Sequence, residues 1–582
     1  MVFISARTLT PCALLLTGIL SGCGGSGDST ALESLTVAAD DTLVISTTTT
    51  LDKLSIGENA TLSAPDGYTL TLTVNNVETG ITAGNYSGDI VLHVAEAIPL
   101  SFSIFGSDVT YNYRAALYVE DGAYVESKSV PSAISSGDVS DSAADSVVIR
   151  SEGENFNGIL IGSSADSTDS FDYEINNPEI TFDGNGSNDF AGLGAAVMTA
   201  GYANVAMTGA VITNTGSIRP ATFATGNSTL TVTDSVITTY NGTLPEDYVW
   251  ALGSGMMEVP WMLGITGNVR STLATQNATA YYVNSDLSSD AWGVLSTDDV
   301  NGTELYCINS HVSTRESGYG AYSDNGADVV IRGCDFDITD YGLILTSSST
   351  ATVSGSSDIQ SGRIGVMLHS NATGTLTIND SSVIHSAGTG IQAKGSYPTI
   401  NIDSATVVSD SGVLVQLMAN DDPYFVAMVG TVTGNYESAI NIANTSLSGD
   451  LVNGNTLAVT MQVNLENSEL TGAITTATTT PQYEVAGFTA DQLTAADYAY
   501  IGEVVNVYGE TSNSNGVTVS LDASSSWTLD QTSWLTSLTI AEGAEITASD
   551  GSSLTMYVDG VETAISAGHY EGNIRLQVAS EG

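Results

Sequence analysis

A glycine recurs inside a short apolar β pattern six times in succession: AWGVLSTD (Gly293), GYGAYSD (Gly320), DYGLILTS (Gly342), GRIGVMLHS (Gly365), AGTGIQAKG (Gly390) and DSGVLVQLM (Gly412). The intervals, by subtraction, are 27, 22, 23, 25 and 22 residues. Between them lie strands of a second type, ELYCINSHV, DVVIRGCDFDI, TLTINDSSVI and TINIDSATVV, which alternate apolar and polar and are bounded by Gly, Asn, Asp or Ser. One such pair per period, with no helical stripe, is one coil of a solenoid. Each coil leaves its apolar face open until a neighbour stacks on it.

Strand alternation assigns faces. Counting from each glycine, Val294 and Ser296, Ala321 and Ser323, Leu343 and Leu345, and Val366 and Leu368 point inward. Two ladders then face outward: Leu295, Tyr322, Ile344, Met367, Gln392 and Leu414, and beside them Thr297, Asp324, Thr346, His369, Lys394 and Gln416. The first is apolar for an outer surface, so it is either covered or a binding groove. A third ladder, Trp292, Tyr319 and Tyr341, precedes the glycines. It is either internal stacking or, if turned outward, a platform for sugar rings.

The strand-turn-strand grammar, a Cys-x-Phe-type strand followed by Gly-Ile-x-Leu, resembles the right-handed parallel β-helix of the pectin-lyase-like superfamily. The likeness runs from about residue 147 to 475, with FNGILIG (Gly158) and GLGAAVM (Gly194) in the same mould. It implies an all-β fold and no particular chemistry, because that scaffold carries lyases, hydrolases and adhesins alike.

The ends carry a second repeat. Residues 51–95 match residues 535–579 without a gap, with about half the positions identical, including Leu54 with Leu538, Glu78 with Glu562 and Tyr86 with Tyr570. Alternating strands and Asp-Gly or Asn-Gly turns make each copy a small β module. A solenoid exposes raw strand edges at both ends, and two such modules are suited to cap them; a glycan-binding role is the alternative. The expected organisation is a leader at 1–22, a tether at 23–42, a first module at 43–96, a connecting β segment at 97–146, the β-helix at 147–526 and a second module at 527–582.

The beginning of the chain reads as an export signal. Arg7 precedes the apolar run ALLLTGIL, and LSGC (Leu20 to Cys23) follows, which resembles a bacterial lipobox. That resemblance implies a diacylated Cys23, anchorage in a membrane through lipid, and, with Gly24 rather than Asp next, an outer-membrane or cell-surface location. With Cys12 in the leader, Cys307 and Cys334 remain; they read as one slot in successive coils, an inward ladder or a single disulfide.

Twelve basic against 65 acidic residues, a net charge of -53, disfavour nucleic acid and anionic surfaces as partners. Candidate chemistry gathers in the least repetitive stretch, about 240 to 325, which holds Trp250, Trp261 and Trp292. Asp298, Asp299, Asp324 and Glu316 could supply a carboxylate pair, with Arg270 or Arg315 as clamp or base, in a polysaccharide lyase or glycoside hydrolase. Trp261, Trp292, Tyr319, Tyr322 and Glu258 could line a ligand site. Asp298, Asp299 and Asp324 are also the candidate donors for Ca²⁺, and no other cofactor is implied. The STDD at 296–299 imitates part of the polygalacturonase pattern, yet the Gly-His-Gly and Arg-x-Lys of that branch are absent, and SIRPATF (217–223) is a faint echo of pectate lyases. The reading favoured is a surface scaffold that binds or adheres to glycan or another surface polymer; the alternatives are a polysaccharide-degrading enzyme and an inert surface structure.

Overall fold

The computed structural model describes residues 14–15, 34–104, 106–250, 252–253, 255–298, 302–369, 371–422, 434–482, 498–510 and 515–580. Strands dominate, and in the central region almost all pair in parallel with a strand one coil away. In one full coil, Glu304–Ile308 leads to His311–Thr314 and then to Tyr319–Ser323, and the next coil opens at Asp328. Three strand stacks result. The first runs from Phe171–Asn176 to Ser533–Ile540 and the second from Glu179–Asp183 to Glu545–Ala548. The third carries the recurrent glycines and spans Ser107–Glu120 to Ile474–Pro481.

The corner between the first and second stacks requires one residue in the left-handed region. Asn284 (φ 49°), Asn309 (φ 49°) and Gly333 (φ 65°) fill it in successive coils, as expected of residues with a short polar side chain or none. The next residue is buried and passes a hydrogen bond along the axis. The Ser285 N–H donates to Ser310 Oγ at 3.0 Å, Ser310 N–H to Cys334 Sγ at 3.4 Å, and Cys334 N–H to Ser357 Oγ at 3.1 Å. Cys334 therefore occupies a serine slot, whereas Cys307 stands inside the first stack, opposite Tyr282 and Ile331. The two cysteines do not share one slot. They are joined diagonally as a disulfide, with Cα atoms 6.6 Å apart.

The third stack explains its glycines by crowding rather than by φ. At each of these positions two consecutive residues turn inward at the corner. A Cβ on Gly320 would stand 2.5 Å from the Phe336 ring, and one on Gly342 would stand 2.6 Å from Ile359 Cγ2 and 2.5 Å from the Gly365 carbonyl. The inward pairs of the middle coils are as expected: Ala321, Leu343, Leu345, Val366 and Leu368 belong to the continuous core.

At the two outer members the register departs from the glycine count. Gly293 pairs with Tyr319 and Ser296 with Tyr322, while Gly390 stacks on Leu414, not on Gly412. Ser296 consequently faces outward, and Leu295 and Thr297 turn inward with Ala321 and Ala274. A slip of one residue exchanges faces. Its cause at Gly293 is Trp292, whose φ of 64° inserts a turn before the strand and leaves Val294 in the slot that glycine holds later. The second outward ladder thus begins at Asp298, two positions beyond the Ser296–Tyr322 pair. It continues through Asp324, Thr346, His369 and Lys394 to Met418, in place of Gln416.

The duplicated segments fold alike. In each, a bulged hairpin pairs Leu54 with Tyr86 or Leu538 with Tyr570, and the tyrosine hydroxyl donates at 2.9 Å to the carbonyl of Thr82 or Ser566. The coils extend past residue 526, because Ser537–Ile540 stack in parallel on Thr518–Leu521. They also begin before residue 147, because Ala143–Asp145 pair with Glu174–Asn176. Cys23 and the rest of the lipobox lie outside the described residues. Among those that are described, no helix is long and apolar enough to cross a membrane.

Candidate functional site

The outer face of the third stack carries large side chains that a polar surface would not leave dry. Trp292, Tyr319, Tyr341, Ile344, Ile364 and Met367 form a second cluster, separate from the internal core. It is roofed by Met256, Val259, Met262, Leu263 and Ile265 and by Tyr498 and Ile501. The aromatic ladder therefore faces outward and is buried by an insert rather than by the solenoid. The insert is braced by Trp250 and Trp261, whose rings stack 4.4 Å apart.

Where the roof meets the strands it leaves a cavity of about 280 Å³, at the small end of ligand-sized pockets. Its apolar side includes Leu252, Met256, Pro260 and Met262, its aromatic wall Phe190, Trp292, Tyr319 and Tyr322, and its polar floor Asp298, Asp324, Asn325, Thr346, Ser347 and His369.

Arg270 lies at the edge of this floor and is almost wholly buried. Its Nε donates to Asp189 Oδ2 at 2.9 Å, and its Nη2 donates both to that same oxygen and, at 2.7 Å, to Asp298 Oδ2. The guanidinium lies 5.1 Å from the Trp292 ring and 5.9 Å from the Phe190 ring, within the range of cation–π attraction. Asp189 is fully buried, and desolvation pushes its carboxyl above the usual range against the pull of Arg270. Asp324 accepts from the hydroxyls of Thr346 and, at 3.3 Å, Tyr322, and its N–H donates to Thr297 Oγ1 at 3.0 Å. Burial also pushes the Tyr319 hydroxyl up to about 12. Its oxygen lies 2.9 Å from Ser296 Oγ.

Six of the residues singled out from the sequence, Arg270, Trp292, Asp298, Tyr319, Tyr322 and Asp324, thus line one cavity. Others do not. Arg315 lies over Tyr240 and donates to Asp290 at 2.7 Å, on the second-stack side of the coil. Glu316 accepts from Asn241 there. Trp261 packs within the roof, and Glu258, whose carboxyl burial pushes up, lies near it and outside the cavity lining. Asp299 lies outside the described residues. No group of three or more His, Cys, Asp or Glu gathers at metal-binding distance among the described residues, and Asp298 is already engaged by Arg270. The arginine of SIRPATF, Arg219, is sealed inside the fold, donating to the carbonyls of Gly153, Asp183 and Gly194, so it is not available to a substrate.

Sequence reasoning missed Asp189, Phe190 and His369 as parts of the site. Asp189 and Phe190 lie in a short turn, Asp189 standing 81 positions before Arg270, and nothing in the local pattern marks them.

Residues 273–427 match the family described as right-handed β-helix region. With the parallel stacks, this settles the architecture. The chain folds as a right-handed parallel β-helix. The matched part of the β-helix includes Asp298, Tyr319, Tyr322, Asp324 and His369, whereas the roof from 252 to 265, Asp189 and Arg270 lie outside it. No curated protein matches the chain.

Proposed function

We propose that this β-helix is an exported, lipid-anchored surface protein that binds glycan or a related surface polymer through the roofed cavity, and does not cleave it. One observation carries the reading: Tyr322, partly exposed and backed by the buried Trp292 and Tyr319, forms the aromatic side of a cavity whose floor holds carboxylates, hydroxyls and an amide. Aromatic faces match the C–H faces of a sugar ring, and the polar floor matches its hydroxyls. A cavity of this size admits the end of a chain or one branch, not a polymer passing through.

The same geometry argues against hydrolysis or elimination. A glycosidase needs one carboxyl free to protonate the leaving oxygen and a second as base or nucleophile. Asp298 is engaged by Arg270, and Arg270 is itself buried and paired with both Asp189 and Asp298, which leaves it unsuited as a base or substrate clamp. The Cys307–Cys334 disulfide supports export, because disulfides persist in oxidising compartments.

A glycan array combined with a polysaccharide-degradation screen, run with and without Ca²⁺, tests the proposal. Binding without turnover that weakens in Tyr322→Ala supports it. Turnover that disappears in Asp298→Ala overturns it in favour of an enzyme, and failure to bind any glycan or surface polymer leaves the structural role.

A further inference from the structure

The two copies of the terminal module differ in what one edge strand touches. In the first copy, Val77–Thr79 lies along the opening coil, with Val77 and Glu78 paired in parallel to Arg150 and Ser151. Glu78 is buried there. It accepts from Arg114 at 3.2 Å, from Ser151 Oγ at 2.6 Å and from the Gly153 N–H at 3.1 Å. In the second copy the same three residues recur as Val561–Thr563 and pair on one side with Met556–Val558. On the other side no strand lies against them among the described residues. Val561 is 66% exposed and Glu562 is exposed.

We propose that the two modules compete for one seat, so that the second module of one copy can replace the first module on the opening coil of another, and copies join head to tail by module exchange. Three observations support the fit. The hairpins superpose position for position, down to the Asp89 N–H donating to Asn75 Oδ1 and the Asn573 N–H to Asp559 Oδ1. The Val-Glu-Thr strand is identical in both. The seat also supplies a cation to the glutamate: Arg114 bonds Glu78 at 3.2 Å, and Arg219 lies behind it, donating to Ser151 Oγ at 2.8 Å. An exposed glutamate on a bare strand edge is complementary to it in charge and in hydrogen bonding. Exchange of like elements needs no new interface. A tethered first module holds the seat by its high local concentration, so exchange grows with protein concentration and with anything that loosens the first module.

The test is sedimentation of the full chain carrying Cys23→Ser over a concentration series at 0.15 M salt, where charge repulsion between copies is screened within about 8 Å. Glu78→Gln weakens the tethered contact and is expected to raise the association constant about tenfold. Adding Glu562→Arg to that variant abolishes the gain. In parallel, the chain with Glu78 intact is compared with the same chain carrying Glu562→Arg alone at the top of the concentration series, and the first is expected to associate while the second stays monomeric. Association that survives Glu562→Arg, or a chain with both glutamates intact that shows no association, overturns the proposal. The comparison at intact Glu78 decides the question even if Glu78→Gln prevents folding.

Discussion

Arg270 holds Asp298 from the neighbouring coil, Nη2 to Oδ2 at 2.7 Å, and in doing so converts the most conspicuous carboxylate of the sequence into half of a partly buried ion pair. The other half of the arginine's charge goes to Asp189.

Replacing Arg270 by Met removes the cation from a site where Asp189 has no exposure to water. Breaking a buried pair from one side costs roughly 3–5 kcal/mol, so the melting temperature at pH 7 falls by several degrees. The sign of the pH dependence follows from the raised carboxyl of Asp189. A folded-state pKa above the unfolded value gives stability that is present at low pH and lost as pH rises through it. Acidification from pH 7 towards 4 therefore narrows the gap between variant and parent in thermal melts, and a gap that widens refutes this assignment.

Asp324→Asn keeps the shape of the cavity floor and removes a charge that accepts from two hydroxyls. Loss of a charge-assisted contact lowers affinity for a bound glycan by about tenfold, read by titration calorimetry, while the melting temperature changes little.

The disulfide closes a separation of 27 residues between adjacent coils. Opening it costs about 2–4 kcal/mol. The two single variants should nevertheless differ. Cys334→Ser restores the serine that Ser310 and Ser357 already bracket, whereas Cys307→Ser buries a hydroxyl among apolar neighbours for a further cost of about 1–2 kcal/mol. Urea midpoints of the two variants, measured side by side, check the order.

Gly342→Ala forces a Cβ to within 2.5 Å of the Gly365 carbonyl, with no flexible side chain able to yield. Overpacking of this kind costs about 1–3 kcal/mol. Gly412→Ala meets nothing within 4 Å and is strained only by a φ of 82°, a cost of about 1 kcal/mol. Denaturant unfolding should rank Gly342→Ala as the more damaging change.

Much of this was legible in order along the chain. The glycine period and the alternating companions specify stacked parallel strands, because a strand's faces follow from a two-residue repeat whatever surrounds it. The inward residues of the middle coils, the aromatic ladder and the duplicated ends are all visible there. The exceptions are physical. Trp292 and Ser411 to Leu414 interrupt the period with turns, and an irregular turn shifts the register in a way that the spacing of glycines does not report.

By itself, then, the sequence determined the solenoid, its core and the pair of modules, since these depend on local periodicity and on repeats. Only the tertiary structure decided which residues make the site. A roof from 252 to 265 had to fold over the third stack to bury Trp292 and Tyr319, and Asp189 had to meet Arg270 across 81 positions of sequence. It also decided that Asp298 is engaged, that Arg315 and Glu316 belong to another face, and that one of two equal glutamates, Glu78 and Glu562, is buried. Burial and ion pairing are properties of what packs against a residue, and no periodicity along the chain carries them.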